Sequence, residues 1–432
     1  MVEYVTEKYF LRCNYMKTAG IIAEYNPFHK GHQYQLEYTK EILGADYIII
    51  VMSGDYVQRG TPALLSKHTR TEMALRCGAD LVLELPVSFS TASAEFFAAG
   101  GAEMLHKLGV TDMLCFGSEA GETDTLNNIA EVLLAEPEEY KENLRRLLGQ
   151  GLSFPAARSQ ALLKYFESCH ITSPGLSALL ASPNNILGIE YCKALKRLNS
   201  HITPVTVKRL GGGYHEEDIF AEQFSSATAI RRLTEQYSSD AKDRASLISL
   251  IQTQVPSEVS QLLAKKLEEK AFVTEEDFSL LLSYCLFRET ADGLTRFLDI
   301  SPNLAQRIMN QRNQCVSFRQ FTALLKTKEI TQTRIQRGLL HMVLGITHVP
   351  ASVPYARVLG FRRSAGPLLK EIKQKSAIPL LTKLADASSV LDRKSLEELE
   401  LNTFASNMYE SVLASRTENA FTHEYQKQLV IL

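Results

Sequence analysis

A short apolar run near the amino terminus restricts the fold of this chain more than any other feature. Residues 47–52 (YIIIVM) are all apolar, and the run lies between Gly44 and the pair Ser53 and Gly54. A strand with apolar side chains on both faces has to be covered on both sides, which is the situation of strands in a parallel sheet. The run therefore predicts a buried strand in a layered domain.

Strands and helices alternate through the first half of the sequence. Strand-like runs bounded by glycine, proline and polar residues are separated by segments of helical periodicity. This alternation is typical of βαβ units. The predicted fold class is α/β, with a doubly wound, Rossmann-like parallel sheet whose strands all end at one edge. We predict strands at 18–25, 46–52, 80–85, 112–116 and 202–208, and helices at 31–43, 67–77, 91–108 and, in broken form, 120–200.

The pattern changes after about residue 236, where glycine becomes sparse and helical periodicity dominates to the carboxyl terminus. The first fifteen residues lack the apolar segment and the small-residue cleavage site of a signal peptide. We predict an amino-terminal extension at 1–15, a catalytic domain at 16–236 and a mostly helical domain at 237–432.

Composition excludes several classes of protein. The 47 basic and 49 acidic residues give a net charge of −2, so a nucleic-acid partner would need a local basic surface. The seven cysteines form no C-x-x-C pair, which argues against a zinc site or a disulfide framework and for a reducing compartment. Apolar runs are far shorter than the ~20 residues of a membrane span. We expect a cytoplasmic protein without a membrane partner.

The most informative motif is HKGH at residues 29–32, between the first predicted strand and the first predicted helix. Backbone N–H groups at a helix start attract anions, and Gly31 lets a phosphate approach the backbone. The rings of His29 and His32 can donate hydrogen bonds to a phosphoryl group as charge develops. The alternative is a helix start that merely contains two histidines. In this context the motif predicts nucleotide phosphate chemistry.

HxGH after the first strand resembles the signature of the nucleotidyltransferase superfamily, whose second signature has the form SSTxIR. Residues 226–231 (SATAIR) resemble that second signature, except that Ala227 replaces a serine. The resemblance implies that Ser226, Thr228 and Arg231 contact phosphate. The alternative for this segment is a helix capped by a serine or threonine, and both interpretations can hold together.

A longer resemblance narrows the family. The chain resembles the bacterial tRNA(Met) cytidine acetate ligases in residues 20–32 (GIIAEYNPFHKGH), 51–60 (VMSGDYVQRG), 78–86 (GADLVLELP), 116–119 (FGSE), 182–188 (SPNNILG), 208–209 (KR) and 355–361 (YARVLGF). This resemblance implies ATP contacts at Ile22, Ala23, Glu24, Tyr25, Asn26, Pro27, Phe28, His29, Lys30, Gly31, His32, Gln33, Tyr34, Gln35, Gly117, Asn184 and Arg209. Between Asn184 and Asn185 the choice stays open.

A polar loop follows the strand at 46–52 and is expected on the same edge of the sheet. It could close over acetate or the target cytidine, and Arg59 could hold the acetate carboxylate. The candidate residues of this loop are Ser53, Gly54, Asp55 and Arg59. The next helix begins with Lys67, His68 and Arg70, which could contact phosphate or RNA or form a solvated face.

The second half contains a local excess of basic residues. Between residues 301 and 337 the only acid is Glu329. A stretch of one sign suits a polyanion, although a solvated helix face is the alternative. Arg334 and Arg337 lie one turn apart and could hold one backbone segment. The residues predicted to bind tRNA are Arg307, Arg312, Lys326, Lys328, Arg334 and Arg337.

The resemblance implies a two-step reaction. ATP, with Mg²⁺ expected as its counterion, activates acetate as acetyl-adenylate, and the acetyl group then passes to N4 of the wobble cytidine, position 34, of elongator tRNA(Met). His29, His32 and Lys30 are the predicted catalytic residues. One alternative is a small-molecule nucleotidyltransferase that transfers AMP to a phosphorylated cofactor precursor. Another is a nucleotide-sensing or RNA-binding protein with an inactive catalytic domain. The sequence predicts no protein-bound metal and no particular oligomeric state.

Overall fold

The computed structural model describes residues 16–170, 175–209, 227–236 and 248–432. The predicted extension at 1–15 and Ser226 lie outside the described residues. The strands are β1 (Thr18–Ala23), β2 (Tyr47–Ser53), β3 (Tyr56–Val57), β4 (Thr61–Pro62), β5 (Leu81–Leu85), β6 (Met113–Ser118), β7 (Thr203–Lys208), β8 (Ala356–Phe361), β9 (Leu380–Leu381) and β10 (Val430–Ile431).

Helices α1 to α9 belong to the first half. They are α1 (Lys30–Glu41), α2 (Lys67–Arg76), α3 (Val87–Ser90), α4 (Ala94–Leu108), α5 (Thr123–Ala135), α6 (Glu138–Gly149), α7 (Phe154–Ser168), α8 (Leu176–Ala181) and α9 (Pro183–Arg197). Helices α10 to α19 follow. They are α10 (Ala227–Gln236), α11 (Ser257–Glu268), α12 (Ser279–Arg288), α13 (Ala291–Leu294), α14 (Pro302–Gln311), α15 (Phe318–Leu325), α16 (Gln332–Leu344), α17 (Gly366–Lys375), α18 (Ala387–Val390) and α19 (Arg393–Thr417).

The central sheet has the strand order β10-β8-β5-β2-β1-β6-β7. Its five strands from the first half are all parallel, as the alternation of strands and helices predicted. The chain leaves β1 toward β2 and β5 and returns on the other side to β6 and β7, so the order reverses at β1. Such a reversal opens a crevice at the carboxyl ends of the strands, where ligands bind in doubly wound sheets.

The run at residues 47–52 is the buried strand that its composition predicts. Every residue from Ile48 to Ser53 in β2 is buried. One apolar cluster includes Ile49 and Val51, and a second includes Ile48 and Ile50, so the two faces of β2 contribute to different cores. The strand is therefore covered on both sides, as a parallel sheet requires.

The second half is mostly helical, but it also contributes strands that the sequence analysis did not predict. β8 pairs antiparallel with β5, and β10 pairs parallel with β8. The helical elements enclose a core of their own around Phe278, Phe321 and Leu339. Residues 210–226 and 237–247 flank the predicted boundary at 236 and are not described, so the division into domains stays a prediction.

No helix in the described ranges is long and apolar enough to cross a membrane.

Candidate active site

A pocket opens at the point where the order of the strands reverses. It lies at the carboxyl ends of β1, β6 and β7 and beside the first turns of α1 and α9. Its lining residues are Ile22, Ala23, Gly31, His32, Tyr34, Gln35, Phe116, Gly117, Asn184, Leu187, Tyr191, Val207, Lys208 and Arg209. Nine of these fourteen were predicted as ATP contacts, so the geometry brings together residues that are up to 187 positions apart in the sequence.

The two histidines of the HKGH motif form the amino-terminal cap of α1. Nδ1 of His29 accepts a hydrogen bond from the backbone N–H of Gly31 at 3.1 Å, and Nδ1 of His32 accepts one from the backbone N–H of His29 at 3.2 Å. The rings are stacked with centroids 3.6 Å apart. Because both Nδ1 atoms accept hydrogen bonds, the proton of each neutral ring lies on Nε2. Both histidines are therefore prepared as Nε2–H donors.

Both imidazoles are held neutral. Burial, and after it the positive charges of Arg209 and Arg231, lower the pKa of His29 to about 3. Burial is also the largest cause that lowers the pKa of His32 well below its usual value, followed by His29 and Arg209. A neutral donor suits this position because the neighbouring arginines already supply the positive charge that attracts phosphate.

A glycine is needed at position 31 for a structural reason as well as for phosphate access. A Cβ at this position would lie 2.9 Å from Cε1 of His29 and 3.1 Å from its Nδ1. A side chain would therefore push the His29 ring out of its capping position, so the glycine between the histidines maintains the donor geometry as well as an open backbone.

The second predicted signature lies against the first. Arg231 of α10 donates from Nη1 to the backbone oxygen of Asn26 at 2.7 Å and from Nη2 to Oγ1 of Thr228 at 3.1 Å. Asn26 belongs to the loop between β1 and α1, so about 200 residues of chain separate partners that are in direct contact. The positive charge of Arg231 also reaches His29, where it contributes to the lowered pKa.

Of the predicted ATP contacts outside the HKGH motif, some line the pocket and others only hold neighbouring backbone in place. Gly117 lies within β6, because this strand continues beyond its predicted end at residue 116. A Cβ on Gly117 would lie 3.4 Å from Cγ of Arg209. Nδ2 of Asn184 donates to Glu119 at 2.7 Å, and Asn184 lines the pocket. Asn185 is buried and accepts from the backbone N–H of Ala120. The geometry favours Asn184 over Asn185 as a ligand contact.

Several residues of the 22–35 stretch face away from the pocket. Tyr25 and Phe28 are buried and pack against the ring of His32. Nζ of Lys30 donates to the backbone oxygen of Thr253 at 2.7 Å. The prediction that Lys30 is catalytic therefore has no support from its position, because its ammonium is engaged with the helical region. Pro27 is buried, Gln33 donates to Glu37, and Glu24 accepts from the backbone N–H of Gln58.

The loop predicted to close over acetate is packed into the structure. Ser53, Gly54 and Asp55 are all buried, and Asp55 accepts a hydrogen bond from the backbone N–H of Lys67 at 2.8 Å. These contacts do not favour the prediction that the three residues bind acetate or cytidine. Arg59 differs, because it is only partly buried; burial lowers the pKa of its guanidinium, and the charges of Glu24 and Arg231 also influence it. Arg59 stays the loop's candidate.

Two of the three basic residues at the start of α2, Lys67 and Arg70, form neither a solvated face nor an accessible site. Arg70 is fully buried and donates to the backbone oxygens of Glu24 at 2.6 Å, Ser53 at 3.1 Å and Gly54. It thereby holds together the loops that follow β1 and β2. Lys67 is also fully buried, and its Nζ lies 2.7 Å from Glu84. Both cations are structural because carbonyl oxygens and carboxylates satisfy them.

The predicted tRNA-binding residues divide in the same way. Arg337 is mostly buried and forms a bidentate ion pair with Asp299, at 2.7 Å and 3.2 Å. Arg307 donates to the backbone oxygens of Leu324 and Leu325. The pairing of Arg334 and Arg337 on one RNA segment is therefore not favoured. Lys326, Lys328 and Arg334 are exposed, and Arg312 is half-buried near Met309.

Five lining residues of the pocket were not predicted as contacts from the sequence, and these are Phe116, Leu187, Tyr191, Val207 and Lys208. Four of them are apolar or aromatic and follow the pattern of core strands and helices. No sequence signal separates such residues from ordinary core positions, because only their place at the crevice distinguishes them.

Among the described residues there is no group of three or more His, Cys, Asp or Glu side chains that could hold a metal ion.

Comparison with known proteins places these features in a family. The family model described as HIGH Nucleotidyl Transferase matches residues 16–424. A tRNA(Met) cytidine acetate ligase from Acetivibrio thermocellus is 38% identical over 424 residues, which cover 96% of this chain and 100% of that protein. A tRNA(Met) cytidine acetate ligase from Clostridium acetobutylicum is 37% identical over 428 residues, which cover 96% of this chain and 100% of that protein.

Solved structures agree with the sequence relatives. The crystal structure of Thermotoga maritima TmcAL without ligand matches with a TM-score of 0.89 and 32% identity, and the match covers 96% of this chain and 100% of that chain. The crystal structure of the same protein bound with alpha-thio ATP matches with a TM-score of 0.86 over the same shares of the two chains.

Proposed function

Because the chain belongs to the HIGH nucleotidyl transferase family, and within it to the tRNA(Met) cytidine acetate ligases, we propose that it uses ATP to acetylate a cytidine of tRNA(Met). The substrates are acetate, ATP and elongator tRNA(Met), and the product is N4-acetylcytidine at the wobble position, 34. The observation that carries the proposal is the pair of neutral Nε2–H donors at the start of α1, beside Arg209 and Arg231. We expect the reaction in the cytoplasm, where such a tRNA substrate is found.

The first step forms acetyl-adenylate. An acetate oxygen attacks the α-phosphorus of ATP, the bond to the bridging oxygen breaks, and pyrophosphate leaves with the bonding electrons. Nε2–H groups of His29 and His32 donate to phosphoryl oxygens as their charge grows, and the N–H groups at the start of α1 add their dipoles. Arg209, Arg231 and Thr228 hold the departing phosphates, and Ser226 belongs to the same signature.

The base and ribose of ATP occupy the pocket at the reversal of strand order. Gly117 leaves the end of β6 open for them, Asn184 offers an amide, and Tyr34, Gln35 and Tyr191 border the space. ATP then lies across β1, β6 and β7 with its phosphates toward His32, which is the arrangement expected at the carboxyl edge of a doubly wound sheet.

The second step transfers the acetyl group. The N4 amine of cytidine attacks the carbonyl carbon of acetyl-adenylate, the amine loses a proton, and AMP leaves as the oxygen takes the bonding electrons. Arg59, whose pKa is influenced by the charges of Glu24 and Arg231, holds the acetate carboxylate before activation. No nucleophilic side chain is required, because the adenylate is itself the activated acyl donor.

Mg²⁺ fits as an ion that binds together with ATP, through the phosphates, and not through a site built from protein side chains. Mg²⁺ at nucleotide sites takes its ligands largely from phosphate oxygens and water, and the described residues provide no cluster of metal-binding side chains. When bound, the ion supplies neutralisation of phosphate charge. His29, His32, Arg209 and Arg231 would act on the oxygens that the ion leaves free.

The test is pyrophosphate exchange into ATP followed by acetyl transfer. We expect exchange that depends on acetate and needs no tRNA, and labelled acetate that appears as N4-acetylcytidine only when tRNA(Met) is added. The variant His32→Ala should lose the exchange, whereas His348→Ala, which removes a mostly exposed histidine elsewhere, should keep it. Exchange that requires a phosphorylated cofactor precursor in place of acetate would contradict the proposal.

A further inference from the structure

A second concave region lies beside the nucleotide pocket and has no role in the steps above. It is bounded by α7, α8 and α9 on one side and by the start of α16 on the other, with Gln58 and the start of α4 at its floor. Its cavity volume is about 740 Å³. Pockets that bury small organic ligands span roughly 300–1,000 Å³, so this space, called here the α7–α16 cleft, can take a nucleotide-sized group.

The α7–α16 cleft and the nucleotide pocket share α9. Asn184, Leu187 and Tyr191 of that helix face the nucleotide pocket, whereas Ile186 and Glu190 face the cleft. Gln58 lines the cleft, and its backbone N–H donates to Glu24, which directly follows β1, at 2.9 Å. The cleft and the nucleotide pocket are thus neighbours on the two sides of one helix, α9.

Three acids of the cleft, Glu95, Glu190 and Asp299, are paired with cations within the protein, and a fourth, Glu329, is exposed. Arg158 and Lys193 contact the carboxylate of Glu190 at 2.6 Å and 2.7 Å. Arg337 pairs with Asp299 at 2.7 Å, and Lys193 reaches Glu95 at 2.9 Å. These pairs leave the cleft without an uncompensated buried acid that would repel a phosphate.

Arg334 is the cation of the cleft that is open to a ligand. Its side chain is 45% exposed, and its closest contacts are the backbone oxygen of Asp299 at 3.3 Å and the Asp299 carboxylate at 3.9 Å. It lies in the first turn of α16, a helix of thirteen residues capped by Thr331, and the exposed Lys326 and Lys328 precede it. At this end of the cleft the exposed cations Lys326, Lys328 and Arg334 outnumber the one exposed acid, Glu329, so the local charge is positive.

Phe154 provides an aromatic surface on the opposite wall. It is the first residue of α7, it lines the cleft, and 55% of its surface is exposed. Covering an exposed phenyl ring with a ligand removes apolar surface from water, which is favourable. Unpaired bases stack on such rings, and this stacking together with phosphate contacts is the usual way in which single-stranded RNA is held.

We propose that the α7–α16 cleft binds the unpaired nucleotides next to the target cytidine, with Phe154 stacking on a base and Arg334 contacting a backbone phosphate. This inference rests on the proposed function and names the part of the tRNA that the chain holds. The apolar walls at Leu162, Leu180 and Ile189 exclude water from the base, while the shared helix α9 directs the cytidine toward the adenylate.

The experiment compares two reactions of the same variants. Phe154→Ala and Arg334→Ala are assayed for acetate-dependent pyrophosphate exchange and for kcat/KM of acetyl transfer to tRNA(Met). The matched controls are Phe404→Ala and Arg393→Ala, which remove an equally exposed phenyl ring and an exposed arginine from α19. Binding of an RNA hairpin with the tRNA(Met) anticodon arm is measured at several salt concentrations.

We expect all four variants to keep the exchange rate. Loss of stacking at Phe154 should lower kcat/KM for tRNA by about five-fold to about a hundred-fold, with partial rescue by Phe154→Tyr. Loss of Arg334 should weaken hairpin binding by about ten-fold and reduce the salt slope by about 1. The two controls should remain within about two-fold of the original protein.

Three results would overturn the inference. The first is tRNA acetylation within two-fold of the original protein in both cleft variants. The second is a loss of exchange in Phe154→Ala, which would assign the cleft to the adenylate step. The third is weaker binding of a free mononucleotide together with unchanged hairpin binding, which would assign the cleft to a small molecule. Failure of the proposed function is distinct, because the unaltered protein would then lack acetate-dependent exchange.

Discussion

At the scale of single residues, His29 has two tasks that one substitution can separate. Its Nδ1 caps α1, and we propose that its Nε2–H donates to phosphoryl oxygens. Asparagine is among the best helix caps because its side-chain oxygen accepts the same backbone hydrogen bond. Asparagine has no donor at the position of Nε2. The variant His29→Asn therefore keeps the cap and removes the donor.

We expect His29→Asn to lower acetate-dependent pyrophosphate exchange by about 10²–10³, which is the usual effect of removing one preorganised donor. The free energy of unfolding, measured by urea denaturation, should fall by no more than about 2 kcal/mol. His29→Ala is the comparison, since it also removes the cap and should cost a further ~0.5–2 kcal/mol. Exchange within ten-fold of the original protein in His29→Asn would show that the Nε2–H group does not act on phosphate.

The lowered pKa of His29 also predicts how stability depends on pH. Its pKa is about 3 in the folded chain, against about 6.5 in an unfolded chain. Between these values the unfolded state binds more protons, so stability falls as the pH is lowered through 6.5 and this effect ends near 3. From pH 7 to pH 5 the loss from His29 should be about 2 kcal/mol.

The comparison of the original protein with His29→Asn isolates that contribution from those of other groups. Urea denaturation at pH 7 and pH 5 should show a smaller loss of stability in the variant than in the original protein. Equal losses in the two proteins would indicate that His29 is protonated in the folded state.

At the scale of elements, Gly60 determines how closely α16 approaches the catalytic half. Its φ angle is +79°, and a Cβ there would lie 2.6 Å from Cα of Arg337. The neighbour is helix backbone, which cannot rotate away. The close approach allows Arg337 to pair with Asp299 and positions the start of α16 at the α7–α16 cleft.

Gly60→Ala should therefore destabilise the protein more than the matched change Gly44→Ala. Gly44 has a similar φ of +67°, but nothing lies within 4 Å of a Cβ there, so only the left-handed backbone cost of roughly 1–2 kcal/mol applies. At Gly60 the clash should add about 1–3 kcal/mol. Thermal or urea unfolding measures the difference, and equal effects of the two changes would mean that α16 moves away without cost.

At the same scale, the contacts of the second signature at 226–231 could be predicted from the sequence, whereas those of the basic stretch at 301–337 could not. The segment at 226–231 resembles a motif whose partner motif is known, and Arg231 does lie on the HKGH loop. In the basic stretch, charge alone gave no partner. Asp299 pairs with Arg337. Because Asp299 lies two residues before the window of 301–337, a count of charges within that window leaves it out.

At the scale of the whole molecule, a buried ion cluster joins distant parts of the chain. Nζ of Lys67 in α2 lies 2.7 Å from Glu84 of β5 and 2.8 Å from Glu424 near the carboxyl terminus. Arg357 of β8 lies 2.8 Å from Glu84 and also pairs with Glu424. All four side chains are almost fully buried. The cluster thus connects the two halves of the sequence in the region where the sheet gains β8.

Lys67→Met should lower the free energy of unfolding by about 3–5 kcal/mol, because it leaves buried carboxylates without one of their cations. Lys141→Met is the matched control, since Lys141 pairs with Glu138 on an exposed helix surface and such pairs contribute about 0–1 kcal/mol. Urea denaturation of both variants provides the measurement. A similar loss in the two variants would mean that Lys67 contributes no more than a surface cation.

The sequence predicted the parallel sheet, the strand at 47–52 and the HKGH helix start, because hydrophobic periodicity and cap residues are local properties. It also predicted nine residues of the nucleotide pocket through their place at strand ends and through family resemblance. Boundaries shifted by a few residues, as at α1 (Lys30–Glu41), and β8 was not predicted because it pairs with a strand about 270 residues earlier.

By itself, the sequence determined the layered α/β fold and phosphate chemistry at the first helix start, since both follow from neighbouring residues. Only the tertiary structure decided which polar side chains remain available to ligands. Asp55, Lys67, Arg70 and Arg337 are of the residue types found in binding sites, yet each is satisfied by a partner on another element or loop. A charged side chain that enters the interior must find such a partner, and the identity of that partner depends on how distant segments pack.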